Sequence, residues 1–384
     1  MTEARNIVFL DLAESNRQYA DRLKAAAQRV IDSGRFLCGP ETSALESEIA
    51  TRLGATRAIA VSNGLDAIRL IFRALIEEGR LRPGDEVIVP ANTFIASVLP
   101  VTELGLRAIA APADPATHNI DFSRIESFVT PATRALLLVH LYGSPCWDAE
   151  VCSRLRDKGI LIIEDCAQAL GAEAATEGFH GSRQCGALGD AAAISFYPTK
   201  NLGALGDAGM VVTSDTRLAD DIRTLASYGS DRRYHNVMRG YNNRIDELQA
   251  AFLRVKLPFL DEENDRRRAA ADIYRARIAH PEVGLPAFLD NARQVWHQFV
   301  VTSPRRDALR EYLLSKGIPT DIHYPVAPHD QPCYEGYFTG DTLHEATRLA
   351  SRIISLPIAN ISPADAEYIA DIINTFPTSE NGND

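Results

Sequence analysis

One lysine in a glycine-rich segment is the residue whose position most suggests chemistry. The short apolar run 191–196 predicts a buried strand, and Pro198 ends it because proline cannot donate to a ladder. Lys200 follows, and glycines then recur until a second apolar run, 209–213, begins. A buried lysine needs a partner or a bond, and a Schiff base with an aldehyde cofactor would satisfy it. On Lys200 alone, a solvated surface loop is the favoured alternative.

A carboxylate follows another apolar run. Residues 160–163 predict a buried strand, and Asp165 lies at its end, where ligands bind to parallel sheets. The carboxylate could be the counter-ion of a pyridinium nitrogen. It could equally form a turn or cap a helix, so the residue alone leaves both interpretations open.

The turn at Gly64 could bind an anion. A predicted strand, 57–62, passes at once into a helix, so the amides of Gly64, Leu65 and Asp66 lack helical partners and face the positive end of the helix dipole. Both features suit a phosphate. An ordinary strand–helix turn capped by Asn63 is the alternative.

Further polar and aromatic side chains lie near predicted strand ends. Ser195 precedes Lys200 closely enough for its hydroxyl to reach the same phosphate. Phe94 follows the predicted strand 85–90, where it could stack on a flat ring or fill the core. The segment 240–244 precedes an apolar-patterned helix, and Asn242 within it could simply cap that helix.

Bulk properties exclude several classes of function. The net charge is −11, which gives no field to attract nucleic acid. No apolar run is long enough to span a membrane, and residues 1–5 lack the start of a signal peptide. The six cysteines show no metal-binding spacing, so we expect reduced thiols, no metal and a cytoplasmic location. Without a G-x-G-x-x-G or Walker loop, a nicotinamide dehydrogenase is disfavoured.

Strand and helix patterns alternate from residue 57, which predicts an α/β fold with a mostly parallel central sheet covered by helices on both faces. We expect a large domain over 1–256, with an N-terminal helical segment, and a smaller α+β domain over 257–384. The predicted strands are 57–62, 85–90, 107–111, 134–140, 159–164, 191–196, 209–213 and 295–301. The predicted helices are 16–33, 42–53, 65–78, 94–104, 148–158, 261–279, 305–316, 342–354 and 363–375, and 215–256 is expected to be helical apart from a turn at its glycines.

Four motifs in order resemble those of the DegT/DnrJ/StrS family of sugar aminotransferases, which depend on pyridoxal phosphate (PLP), over essentially the whole chain. They are A-V-S-N-G-L-D-A, I-I-E-D-C-A-Q-A-L-G, S-F-Y-P-T-K-N-L-G-A-L-G-D-A-G and G-Y-N-N-R-I-D-E-L-Q-A. The resemblance implies the PLP-dependent transferase fold type I, as in aspartate aminotransferase, and a homodimer with shared active sites.

The resemblance also implies roles around the cofactor ring. Lys200 would hold PLP as a Schiff base and later move the proton. Asp165 would pair with the pyridine nitrogen, Gln168 would bond the phenolic oxygen, and Phe94 would stack on the ring. Many members have histidine in place of Gln168.

The cofactor phosphate would, by the same resemblance, be bound by Gly64, Leu65 and Ser195, and by Asn242 of the other subunit. Leu65 stands where the family often has serine or threonine, so only its backbone amide would bind. A shared phosphate site of this kind requires a dimer.

Three stretches, 91–97, the Tyr-Pro after Ser195, and 321–332, resemble transaminases that make dTDP-3-amino-3,6-dideoxyhexoses. That similarity implies that Tyr197 and His323 lie near the sugar and act with Lys200 and Asp165. His329 is a further substrate candidate, Phe36 belongs to a loop beside the nucleotide, and Arg244 could bind a substrate anion.

The expected reaction is amino transfer from L-glutamate to C3 of a dTDP-linked 3-keto-6-deoxyhexose, for surface-polysaccharide or secondary-metabolite sugars. The alternatives are a transaminase acting at C4 of a nucleotide sugar or on a keto-inositol, and a non-catalytic regulator with the same fold. Lys200 favours transamination, because relatives that dehydrate their substrates carry histidine there.

Overall fold

The structure is a computed structural model, and it describes residues 7–175, 182–290, 292–340 and 342–379. Within these ranges the chain forms α-helices, β-strands and short 3-10 turns. The helices are α1 (Leu12–Arg17), α2 (Ala20–Ser33), α3 (Pro40–Leu53), α4 (Gly64–Glu77), α5 (Leu99–Glu103), α6 (Ala149–Asp157), α7 (Thr216–Ala226), α8 (Glu247–Lys256), α9 (Leu260–Arg277), α10 (Arg306–Ser315), α11 (Leu343–Ala350) and α12 (Pro363–Asn374).

The strands are β1 (Arg57–Val61), β2 (Glu86–Pro90), β3 (Arg107–Ala111), β4 (Thr133–Val139), β5 (Leu161–Asp165), β6 (Glu173–Ala175), β7 (Ser182–Gln184), β8 (Ala191–Ser195), β9 (Gly209–Thr213), β10 (Ser230–Arg232), β11 (His235–Asn236), β12 (Ala292–Arg293), β13 (Phe299–Thr302) and β14 (Ile353–Leu356). The 3-10 turns are Ile95–Ser97, Ile125–Phe128, Leu141–Gly143, Leu257–Phe259, Pro328–Asp330 and Pro332–Tyr334.

Seven strands form the central sheet in the order β1-β9-β8-β5-β4-β2-β3. β9 runs antiparallel to both neighbours, whereas β8, β5, β4, β2 and β3 pair in parallel. This confirms the mostly parallel sheet. Every strand except β9 therefore ends at the same edge, and the loops that leave this edge carry the candidate site.

Helix α4 shows how the sequence builds this edge. Its buried face includes Leu70, Ile71 and Phe72 and packs against β8, β9 and α7. Each such side chain contributes about 1.5–3 kcal/mol when fully buried. The helix begins at Gly64, directly after β1, and Asn63 caps it by accepting a hydrogen bond from the Asp66 amide at 2.8 Å. The packing thus fixes the helix with its N-terminus at the strand ends.

Several helical predictions were wrong in part. Residues 227–246 hold the small hairpin of β10 and β11 and extended chain, because the backbone at Gly229 passes so close to Met238 that a Cβ would lie 2.0 Å from its carbonyl oxygen. The predicted helix 342–354 ends at Ala350, and the apolar residues after it form β14, which pairs with β13.

The predicted helix 16–33 is broken into two. α1 ends at Arg17 and α2 begins at Ala20. Between them Gln18 and Tyr19 turn to α9, where both donate hydrogen bonds to the Glu263 carboxylate, at 2.9 and 3.0 Å. None of the helices in the described ranges combines the length and apolar character needed to cross a bilayer.

Candidate active site

A cavity of about 780 Å³ opens at the carboxyl edge of the central sheet. Its size is typical of small-molecule and cofactor sites. It brings together most of the residues that the sequence predicted, from five separate loops. The predicted residues that line it are Gly64, Leu65, Phe94, Asp165, Gln168, Ser195, Tyr197, Lys200 and His323.

Lys200 projects into this cavity from the loop after β8. Its amine forms no hydrogen bond or ion pair with any residue that the structure describes. Burial lowers the pKa of the Lys200 amine from 10.5 to about 8, and the nearby Asp165 carboxylate opposes the shift. A neutral amine is a nucleophile, whereas an ammonium is not, so the cavity prepares this lysine to attack a carbonyl carbon.

Asp165 ends β5 and is only 5% exposed. One carboxylate oxygen accepts a hydrogen bond from the Ser97 hydroxyl at 2.7 Å, and the other accepts one from the Ala167 amide at 3.0 Å. The Ser97 hydroxyl also lies 2.8 Å from that of Thr93, so a short hydroxyl chain holds the carboxylate in one orientation. A carboxylate that is held in one orientation suits the role of counter-ion to a pyridinium nitrogen.

Gln168 and Tyr324 line the cavity beside Asp165. The Gln168 side-chain amide donates to the Tyr324 hydroxyl at 3.0 Å, and its oxygen accepts from the Tyr142 amide. The Tyr324 ring lies 4.9 Å from that of Phe94. Burial, with the Asp165 charge, raises the pKa of Tyr324, so its hydroxyl stays protonated. The pair Gln168 and Tyr324 therefore offers polar hydrogens close to the carboxylate.

The phosphate-sized part of the cavity lies between two strand ends. Val61 of β1 and Ser195 of β8 both oppose Gly209 of β9, so the loops after β1 and β8 leave side by side. A Cβ on Gly64 would lie 2.7 Å from the Ser195 Cβ, and one on Gly209 would lie 2.3 Å from the Asn63 carbonyl carbon. The glycines permit an approach that places the Ser195 hydroxyl beside the amino end of α4.

The sugar-side candidates occupy the mouth of the cavity. The Tyr197 side chain is 52% exposed. His323 is fixed by a 2.8 Å contact between its Nδ1 and the Ser355 hydroxyl, and its backbone oxygen accepts a hydrogen bond from the Tyr142 hydroxyl. Burial lowers the pKa of His323, although Asp321 opposes the shift, so the ring is neutral at physiological pH.

Four predicted residues lie outside this cavity in their own chain. Phe36 is 54% exposed and is held through its carbonyl, which accepts a hydrogen bond from the Glu247 amide at 3.0 Å. Asn242 accepts a hydrogen bond from Arg244 at 2.6 Å, and Arg244 lines a separate cavity of about 110 Å³. His329 packs beside α11, with its Nε2 3.1 Å from the Thr347 hydroxyl.

A buried pair behind the cavity supports the Asp165 strand. His140 Nε2 lies 2.9 Å from Glu164, and both side chains are almost wholly buried. The Glu164 carboxylate also accepts hydrogen bonds from the amides of Gly186, Leu188 and Gly189. Cys166 lies beside them and is 1% exposed. Since the acceptors of Glu164 are used in this network, we interpret the cluster as a structural support.

Sequence reasoning missed several residues of the cavity. Ser97 and Thr93 lie in a stretch noted only for its similarity to sugar transaminases, and Tyr324 follows His323 directly. His297 lines the cavity as well but had no local signal, because it is part of a short apolar stretch that resembles core sequence. Only the fold brings these residues to Lys200.

The residues present fit PLP. An unpaired amine suits its aldehyde, a fixed carboxylate suits its pyridine nitrogen, and an aromatic ring, Phe94, borders the cavity. The free amides of α4 and the Ser195 hydroxyl suit its phosphate. Asp165 and the α4 terminus lie on strand ends separated in the sheet by β9 and β8, which leaves room between them for a ring.

This fold and this site define a PLP-dependent enzyme of fold type I. A sequence profile of the DegT/DnrJ/EryC1/StrS aminotransferase family matches residues 18–374. The chain belongs to this family. It is therefore an aminotransferase, and its cofactor is PLP, alternating with pyridoxamine phosphate.

Relatives of known activity match over almost the whole chain. The dTDP-3-amino-3,6-dideoxy-alpha-D-galactopyranose transaminase of Aneurinibacillus thermoaerophilus is 41% identical, covering 96% of this chain and 99% of the relative. The dTDP-3-amino-3,4,6-trideoxy-alpha-D-glucose transaminase of Streptomyces venezuelae is 43% identical, covering 93% and 92%. The crystal structure of S. venezuelae DesV in complex with a ketimine intermediate superimposes with a TM-score of 0.90 at 41% identity, covering 96% and 98%.

Proposed function

We propose that the protein transfers the amino group of L-glutamate to C3 of a dTDP-linked 3-keto-6-deoxyhexose, producing a dTDP-3-amino-3,6-dideoxyhexose. The observation that carries the proposal is the unpaired Lys200 amine facing Asp165 in a cavity of about 780 Å³. Two relatives above 40% identity that act on C3 of dTDP sugars support the substrate class.

Bound PLP supplies an aldehyde that exchanges amines and a ring that takes up electron density when the adjacent carbon loses a proton. Asp165, oriented by Ser97, keeps a positive charge at the ring nitrogen and so favours that loss of a proton. Phe94, which lines the cavity, would stack on the ring. The amino end of α4 and the Ser195 hydroxyl hold the phosphate.

Lys200 has two tasks at its Nζ atom. The neutral amine would hold the cofactor through its aldehyde, and once released it would be the group that accepts and returns a proton at its Nζ atom. A pKa of about 8 suits both tasks near neutral pH, since the amine accepts and returns a proton with little cost in either direction. Tyr197 and the neutral His323, at the mouth, orient the sugar hydroxyls.

The test supplies the PLP-loaded protein and L-glutamate with one of three acceptors in parallel. The acceptors are a dTDP-3-keto-6-deoxyhexose, its 4-keto isomer and a keto-inositol. We expect an amino sugar, and more than one equivalent of 2-oxoglutarate per enzyme, from the 3-keto substrate only, and neither result from the Lys200→Ala variant. Turnover of another acceptor instead would replace the proposed substrate. PLP binding without any amino transfer would indicate a regulator.

We propose further that the enzyme is a homodimer in which each site borrows Asn242 and Phe36 from the partner subunit. Both residues are exposed and outside the cavity of their own chain, which supports the proposal. The test mixes Lys200→Ala and Asn242→Ala subunits. A shared site gives hybrid dimers with one wholly intact site and about half of the wild-type activity. Sites built within one chain would give no recovery.

Location and domain division complete the proposal. All six cysteines are free thiols, which supports the cytoplasm as the compartment.

A hydrophobic cluster drawn from residues 270–376, joined by Ile7 from the N-terminal part, supports a separate small domain over 257–384. Limited proteolysis should cut first between the two regions, and a first cut inside either region would oppose this division.

A further inference from the structure

His297 is a buried histidine whose role the proposed reaction does not yet use. It is 5% exposed, lies just before β13, and lines the cavity that holds Lys200. It comes from a distant part of the chain, so its contact with the Lys200 loop is purely tertiary. The next residue after Lys200, Asn201, makes that contact.

The hydrogen bonds of Asn201 fix the proton on His297. The Asn201 amide nitrogen donates to the Val295 carbonyl at 3.1 Å and to Asn264 Oδ1 at 2.7 Å. A backbone carbonyl can only accept, so the orientation of the Asn201 amide is set, and its oxygen points at His297 Nδ1, 3.1 Å away. Nδ1 must therefore carry the hydrogen. The other ring nitrogen, Nε2, then has a lone pair.

The surroundings keep this ring neutral. Burial lowers the pKa of His297, and the positive charges of Lys200 and Arg267, with His323, lower it further. No residue in the described ranges forms a hydrogen bond with Nε2. The ring thus offers an unused acceptor in the same cavity as an unused donor, the Lys200 amine.

The backbone beside His297 is held under strain. Trp296 has a φ of 45°, which a bulky residue rarely adopts. The buried guanidinium of Arg267 donates to the carbonyls of both Trp296 and His297, at 3.3 and 3.2 Å. A strained backbone conformation persists only where several surrounding contacts hold it, and such conformations are concentrated at functional sites.

We propose that His297 is a positioning residue for Lys200. Its Nδ1–H anchors the Lys200–Asn201 loop, and its Nε2 accepts a hydrogen bond from the Lys200 amine in the pyridoxamine-phosphate-loaded enzyme, in which the amine is released while the cofactor fills the cavity. The charged groups and titratable residues around the amine are then Asp165, which attracts its proton, and the two neutral rings His297 and His323. The inference rests on the proposed role of Lys200 as the cofactor lysine.

The first test reads the tautomer directly, without any activity measurement. In nitrogen NMR of the full-length protein with labelled histidine, His297 should show a protonated Nδ1 and a bare Nε2 that does not titrate between about pH 6 and 8. His280 is the internal control, because its Nε2 lies 2.8 Å from the Phe376 carbonyl and its Nδ1 accepts from the Glu282 amide, so it must show the opposite pattern. A protonated Nε2 on His297, or a charged ring in this range, overturns the proposal.

The second test measures the amine itself. In the pyridoxamine-phosphate-loaded protein Lys200 is free, and its apparent pKa follows from brief acylation at a series of pH values with mass spectrometry of the Lys200 peptide. A hydrogen bond to the ammonium stabilises the charged form, so His297→Phe should lower the apparent pKa by about one unit, a tenfold rise in neutral amine at fixed pH. His297→Gln, which keeps a donor and an acceptor, should restore part of the shift.

The matched control is His280→Gln, another buried histidine replaced at a distance from the cavity, which should leave the apparent pKa unchanged. Equal values for wild type and His297→Phe overturn the proposal, as does a failure of His297→Gln to recover any of the shift. Failure of the proposed reaction is distinguishable, because it would appear as absent turnover in the wild type while the tautomer of His297 stays the same.

Discussion

A substantial fraction of the Lys200 amine should be neutral and reactive at a pH where an ordinary lysine is almost fully charged. Burial lowers its pKa from 10.5 to about 8. Near pH 7.5 the neutral fraction is then about one quarter, whereas it is about one in a thousand for an amine with a pKa near 10.5. The structure therefore predicts that the neutral, nucleophilic fraction of the Lys200 amine is about two hundred times that of an exposed lysine.

The perturbation that tests the cause is Asp165→Asn. The carboxylate raises the pKa of Lys200 against the effect of burial, so its removal should lower the pKa below 8 and increase the neutral fraction. Asparagine keeps the shape of the side chain and an oxygen that can accept from Ser97. The pKa of the Lys200 amine is thus expected to lie below its ordinary value of 10.5 in both proteins, and to be lower in the variant than in wild type.

The assay is brief acylation of the cofactor-free, full-length protein from about pH 6 to 11, followed by mass spectrometry of the lysine peptides. Lys24, whose side chain is 79% exposed, supplies the reference for a surface amine in the same sample. Labelling of Lys200 should reach half of its maximum near pH 8. A midpoint near 10.5, or an upward shift in Asp165→Asn, would refute the reasoning that burial controls this amine.

Three further predictions follow from the same contacts. Ser97→Ala removes a hydrogen bond to the Asp165 carboxylate, so PLP affinity should fall by about tenfold in an equilibrium titration, and an unchanged affinity would contradict this role. Gly64→Ala places a Cβ 2.7 Å from the Ser195 Cβ, so the variant should bind PLP at least about a hundredfold more weakly, with inorganic phosphate failing to compete, unlike in wild type. Lys200→Met removes a buried ammonium that destabilises the folded state below about pH 8. The pKa of Lys200 is lower in the folded state than in the unfolded state, so this destabilisation disappears as the pH rises from about 8 to 10.5. Urea unfolding of the cofactor-free variant should give up to about 3 kcal/mol more stability near pH 7 and no difference above pH 10.5, and an equal gain at both would contradict the pKa shift.

The central sheet was predictable because its strands carry their own signal. Buried parallel strands are short apolar runs, and β8 and β9 begin and end within a residue of the predicted bounds. The same logic placed Asp165 and Gly64 at strand ends, where the sheet gathers them. A sequence pattern therefore suffices when the strand itself positions the residue.

The errors arose where distant contacts override local preference. The break between α1 and α2 exists because Tyr19 reaches Glu263, which no pattern within 16–33 reveals. Residues 353–356 continue an apolar helical pattern, yet they form β14 because β13 is available to pair with them. Local propensity is a weak prior, and tertiary pairing decided both cases.

The residues that orient other side chains of the site were the hardest to predict. Tyr324 and His297 matter through what they touch, namely Gln168 and Asn201, and both partners lie far away in sequence. The domain division and the partner-subunit residues stay predictions for a related reason. Each concerns a contact between surfaces, and an exposed side chain such as Phe36 carries no local sign of what covers it.

The one antiparallel strand of the central sheet explains how the candidate phosphate site and Lys200 come to lie side by side. The strands β1 and β8 do not pair with each other. Here β9 lies between them, and its first residue, Gly209, opposes Val61 and Ser195 at once. Because Gly209 has no side chain, the backbone at Asn63 can pack directly against it. The amino end of α4 then lies in contact with Ser195, at the start of the segment that leads to Lys200. The reversal of one strand therefore couples the anion site to the nucleophile, and the geometry follows from backbone contacts that no single motif encodes.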